Sequence, residues 1–83
     1  MSHHERTLKA IFADPIRANV RWADIEALFR HSGAQVMERE GSRVAVLLND
    51  KVAIFHRPHP RPETGRATVR DVRTFLENAG VRP

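Results

Sequence analysis

Apolar positions recur along this chain in two rhythms, one of about 3.6 residues and one of 2, and the change between them divides it into short segments. Leu8, Ile11 and Phe12 fall at helical spacing and predict a short helix over 6–13. Pro15 ends it, because the residue before a proline is driven out of the α region, and 14–19 read as an irregular link. Trp22, Ile25, Leu28 and Phe29 form the stripe of a second helix, with Asp24, Glu26 and Arg30 placed off it on the helix surface. Gly33 is the stop signal for that helix.

The rhythm then shortens. Residues 34–40 predict a strand of uncertain phase, since Val36 and Met37 are adjacent and point to opposite faces. Gly41-Ser42 makes a tight connection. Residues 43–48 carry Val44, Val46 and Leu48 on one face, Asn49-Asp50 is a two-residue turn, and 51–56 return with Val52 and Ile54 alternating. Residues 56–65 hold Pro58, Pro60 and Pro62, which give no ladder donors and stiffen an extended loop. A last helix follows, with Thr68 and Asp71 as its N-terminal capping signal, Val69, Val72, Phe75, Leu76 and Ala79 as its stripe, and Gly80 as its stop.

These faces define an α+β domain. A three-stranded antiparallel sheet has one apolar face to cover, two amphipathic helices cover it from the same side, and the short N-terminal helix is an addition at the edge. The length of 83 residues argues for one domain with a shallow core. The absence of cysteine excludes disulfides and thiolate metal sites and suits a cytoplasmic protein. No apolar run approaches the roughly 20 residues of a membrane span, and no apolar segment follows the N-terminus as a signal peptide requires.

Charge narrows the function further. The formal net charge is +4, and of the 14 basic residues only Lys9 and Lys51 are lysine. Arginine offers a planar fork of donors that fits phosphate, so the balance points weakly to nucleic acid, beside the plain alternative of a solvated basic surface. The main candidate for chemistry is the proline-rich loop, where His56, Arg57, His59 and Arg61 lie close together. Histidine moves protons near neutral pH and arginine holds phosphate through paired donors. RNA cleavage without a metal uses such side chains. A base takes the 2′-hydroxyl proton, that oxygen attacks the adjacent phosphorus, and cations stabilise the developing charge.

The alternative for the loop is a polar connection with no role. A metal site at His56-x-x-His59 lacks a third ligand, so no metal and no other cofactor is expected. Arg43 starts the central strand and either contacts phosphate or is simply an exposed strand arginine. His31 suits the C-terminal end of its helix, where positive charge is favoured. Trp22 belongs to the core stripe.

The order of these segments resembles a known family. Asp24-Ile25-Glu26-Ala27-Leu28-Phe29, Gly33-Ala34-Gln35-Val36 and Arg39-Glu40-Gly41-Ser42 look like the first half of the HicA toxins, which run from an amphipathic helix through a Gly turn into a strand ending in Gly-Ser-His. Pro58-x-Pro60 around His59, then Gly65, and Thr68-Val69-Arg70-Asp71-Val72 to Ala79-Gly80-Val81 are similar to that family's Pro-x-His stretch and closing helix.

The resemblance implies an α-β-β-β-α fold like a double-stranded-RNA-binding domain over residues 20–83, with 1–19 an extension that has no counterpart in the short family members. It also implies an mRNA-cleaving endoribonuclease toxin that binds RNA and is blocked by a HicB-like antitoxin. His59, helped by His56, is then expected to carry proton transfer, with Arg43, Arg57, Arg61 and Ser42 at the RNA phosphate. One position departs from the pattern. Arg43 stands where the family has its catalytic histidine, and arginine, always protonated, is no general base. Either His56 or His59 takes the role, or the chain is a module of the same fold that binds RNA or a protein without cutting.

Overall fold

A computed structural model describes residues 2–59 and 61–83. Met1 and Pro60 lie outside the described residues, and with Pro60 lies its expected share in stiffening the loop. The elements run α1 (His3–Ile11), β1 (Val20–Arg21), α2 (Trp22–His31), β2 (Gln35–Glu38), β3 (Arg43–Leu48), β4 (Lys51–His56), β5 (Glu63–Thr64) and α3 (Arg66–Asn78). Strands β2, β3 and β4 form the antiparallel sheet in that order, and β1 pairs with β5 in a separate two-stranded ribbon. The α+β fold is thus the one the sequence predicts, with the ribbon as an addition.

Both long helices lie on one face of the sheet. Phe29 of α2, Phe55 of β4 and Phe75 of α3 have ring centroids 5.8–5.9 Å apart in all three pairs, so each helix meets the same sheet residue. Ile25, Val44, Val46, Val69, Val72 and Leu76 complete a fully buried core around them. Residues 12–19 link α1 to the ribbon.

Three expectations are corrected. The inward face of β4 carries Phe55 and the half-buried Ala53, while Val52 and Ile54 are 64% and 51% exposed on the opposite, open face. Every residue from Val52 to Phe55 is apolar, so a period of 2 fits either phase. Phe55 faces Val44 across the ladder and has the larger surface to bury, and that settles the phase. Helix α3 starts earlier than Thr68, with Gly65 as N-cap and no side-chain cap. Helix α1 also starts early, because Ser2 and Glu5 form a reciprocal capping box.

Helix α1 packs on the helical layer rather than at a margin of the sheet. Ile11 is fully buried in the shared core. Arg73 of α3 donates to the carbonyls of Ile11 at 2.9 Å and Ala13 at 2.7 Å, closing the C-terminal end of α1.

Helices α2 and α3 both end in a Schellman motif. The amide of Ala34 donates to Phe29 and that of Val81 to Leu76, each one residue after a glycine of positive φ. Asn49 and Asp50, with φ of 50° and 66°, form the type I′ turn that matches the twist of β3 and β4. The Asn49 amide also donates to the Ala79 carbonyl at 2.8 Å, joining the hairpin tip to the end of α3.

Asn49→Ala removes this bond and places a Cβ residue without the Asn preference in the left-handed region. A loss of about 1–2 kcal/mol in urea unfolding is expected, and Asn49→Gly, which keeps the turn, should lose less. Equal losses would show that the contact with Ala79 carries all of the effect.

Candidate functional site

The site grows from the open end of the β3–β4 ladder. Arg43 pairs with His56, and one rung further the Arg57 amide donates to the Ser42 carbonyl at 2.8 Å. Residues directly opposite in a ladder carry side chains on the same face, with Cβ atoms about 4.5–5.5 Å apart. Arg43 and His56 therefore stand side by side on the open face, both exposed. The Nε of Arg43 donates to the Glu40 carbonyl at 3.2 Å, leaving its two terminal nitrogens without a protein partner among the described residues.

Arg57 follows His56 and so points to the helix side. Its guanidinium bonds Glu26 of α2 at 2.7 and 3.2 Å and Glu38 of β2 at 2.7 Å. The sequence suggested phosphate as its partner; these two carboxylates occupy it instead. Glu26 itself is a correction. Expected on the helix surface, it is 7% exposed, and it also accepts from the Trp22 indole and, at 3.4 Å, from Arg30. Asp24 is half-buried and receives His3 Nε2 at 3.0 Å.

Burial pushes the Glu26 carboxyl up. The hydrogen bonds from Arg57 and Trp22 and the charges of Arg57 and Arg30 together outweigh this and hold it below its ordinary value. The bond from Arg57 likewise lowers Glu38, and both carboxylates raise Arg57 further above its ordinary value.

These contacts anchor the proline-rich loop at both ends to one turn of α2. Arg57 is fixed on Glu26 at the start, and the Pro62 carbonyl accepts the Trp22 amide at 3.0 Å at the end. The pairing of β5 with β1 then carries the chain into α3. Between the anchors His59 and Arg61 are exposed. Arg43, Ser42 and His56 are thus brought together, Arg57 is turned to the other face, and His59 and Arg61 project from the anchored loop. His31 is exposed and stacks on His4 of α1, ring centroids 4.1 Å apart.

Two helices backing a three-stranded antiparallel sheet, in the order α-β-β-β-α, give a fold like that of a double-stranded-RNA-binding domain, here with exposed imidazoles and guanidiniums at one end of its hairpin. A family model described as the HicA toxin of bacterial toxin-antitoxin matches residues 22–81, from the first residue of α2 to just past the end of α3. The chain belongs to the HicA toxin family, and membership implies an antitoxin partner. No curated protein and no solved structure matched the chain. Among the described residues no helix is long and apolar enough to cross a membrane.

Proposed function

We propose that this toxin is a cytoplasmic endoribonuclease that cleaves mRNA by transfer to the 2′-hydroxyl, with His56 and His59 moving protons and Arg43 holding the scissile phosphate. The observation that carries this reading is the register of Arg43 against His56. The family's histidine position is occupied by arginine, but an imidazole stands directly across the ladder from it. The roles are exchanged between neighbouring strands, and the site keeps one base and gains one fixed cation.

In the reaction one imidazole takes the 2′-hydroxyl proton as that oxygen bonds to phosphorus. The bond from phosphorus to the 5′-oxygen breaks, and the second imidazole protonates the leaving oxygen. The products are a 2′,3′-cyclic phosphate and a 5′-hydroxyl. The free nitrogens of Arg43 neutralise the phosphate oxygens, with Ser42 beside it and Arg61 further along the strand. Arg57 is a positioning residue, since its donors are engaged by Glu26 and Glu38.

A HicB-like antitoxin would silence the toxin by covering this end. The apolar surface of Val52 and Ile54, on the same open face as His56, is suited to that contact.

The test is incubation of the purified protein with an mRNA in the presence of EDTA, followed by analysis of the ends. Fragments with 2′,3′-cyclic phosphate and 5′-hydroxyl termini are expected. RNA that is bound yet stays intact from acid to alkaline pH would make the chain a binding module and end the enzymatic reading.

A further inference from the structure

Residues ahead of the family-matched region build a feature of their own. Helix α1, the link and β1 enclose two adjoining open hollows of about 350 and 590 Å³. Arg6, Arg17 and Arg21 line the first, Arg17 and Arg66 the second, and Arg17 and Asn19 are shared, so the two form one track.

Among the described residues none of these four guanidiniums is in an ion pair, and the one hydrogen bond from them is Arg66 to the Ile16 carbonyl at 3.4 Å. Two carboxylates also lie in the lining, Asp24, which is bonded at 3.0 Å to His3 of the same hollow, and the exposed Asp14, 3.7 Å from Arg73, so the guanidiniums outnumber the carboxylates two to one. Four guanidiniums against two carboxylates leave the track net positive, and an outside anion is attracted to that excess. A guanidinium matches phosphate in particular, through two parallel bonds.

The track also adjoins the loop. Arg21 faces Glu63 across the ribbon, and β5 directly follows the segment that carries His59 and Arg61. Neither hollow is lined by Phe or Trp, the one aromatic ring in the lining being the His3 imidazole bonded to Asp24, and the open, arginine-rich shape suits a backbone rather than a nucleotide.

We propose that the arginine-lined track of α1, the link and β1, with Arg66, is a second phosphate-binding site that holds backbone phosphates of the RNA strand away from the scissile bond. This rests on the RNA reading above and adds the N-terminal extension to the substrate footprint.

The test uses the full chain and a short fluorescent 2′-O-methyl RNA strand, which cannot be cleaved, with affinity followed against salt. Arg6→Gln/Arg17→Gln/Arg21→Gln should weaken binding at least about tenfold near 0.1 M salt. It should also reduce the slope of log K against log salt by about 2, since each phosphate contact on a single strand contributes roughly 0.7. Lys9→Gln/Lys51→Gln/Arg82→Gln loses the same charge outside the track and should change affinity less than about threefold.

Equal weakening by both triple variants, with RNA still bound by the unaltered protein, would overturn this proposal alone. No RNA binding by the unaltered protein would overturn the RNA reading as well. Tight binding of pyrophosphate that the first triple variant loses while RNA affinity is unchanged would reassign the track to a small polyphosphate and likewise overturn the proposal.

Discussion

His56→Ala is expected to lower the single-turnover rate of RNA cleavage by about 100-fold or more, the usual loss when a positioned acid or base is removed. The side chain is exposed at the end of an edge strand and its backbone partner is unaffected, so folding should be unchanged. The variant that gives this result its meaning is Arg43→His in the same background. It returns an imidazole to the family's position, directly across the ladder from residue 56 and on the same face, and should exceed the rate of His56→Ala/Arg43→Ala, which lacks the cation equally, by at least about tenfold.

Arg43→Ala alone should lose about 100-fold, because a fixed cation at the phosphate is removed while the base remains. Full activity of His56→Ala beside an inactive His59→Ala would move the base to the loop. It would also leave Arg43 and His56 as a surface pair without a role in the chemistry.

The parts of this fold that could be read from the chain are those set by local physics. The stripes of α2 and α3, the helix stops at Gly33 and Gly80, and the turn at Asn49-Asp50 each depend on residues within a few positions of one another. The phase of β4 does not. Val52 and Ile54 alternate as cleanly as Ala53 and Phe55, and the partners of Phe55, Val44 across the ladder and the helices above, decide which pair is inside.

The ribbon of Val20–Arg21 with Glu63–Thr64 is too short to show any period, yet it closes the loop onto α2. Ser2-x-x-Glu5 was a readable capping signal for α1, whereas the start of α3 at Gly65 has no capping side chain to mark it. At the site, the side chains of the histidine-rich segment were legible by type. That Arg57 turns inward was not, because its partners are 31 and 19 positions away, on α2 and β2.

Glu26→Ala should destabilise the domain by about 3 kcal/mol, the low end of the range for breaking a buried ion pair, since Arg57 stays partly hydrated and keeps Glu38. For a chain of this length that lowers the melting temperature by more than about 10 °C. The cause is the convergence of Trp22, Arg57 and Arg30 on one buried carboxylate. Removing it leaves the Trp22 indole donor buried without a partner and Arg57 held by Glu38 alone. The sign of the pH dependence follows from the lowered carboxyl. A group held below its ordinary value of 4.5 stabilises the fold fully above that value, and its contribution is lost as the pH falls below it. Unaltered protein should therefore lose stability on acidification below about pH 4.5, and Glu26→Gln should flatten that fall because its amide does not titrate. The exposed Glu38 adds little to the effect. Since Arg57 on Glu26 also holds the start of the loop, hydrogen exchange at the Arg57 amide should quicken in Glu26→Ala under conditions where the core remains protected. An unchanged exchange rate there would separate the ion pair from the loop and leave Glu26 a purely structural residue.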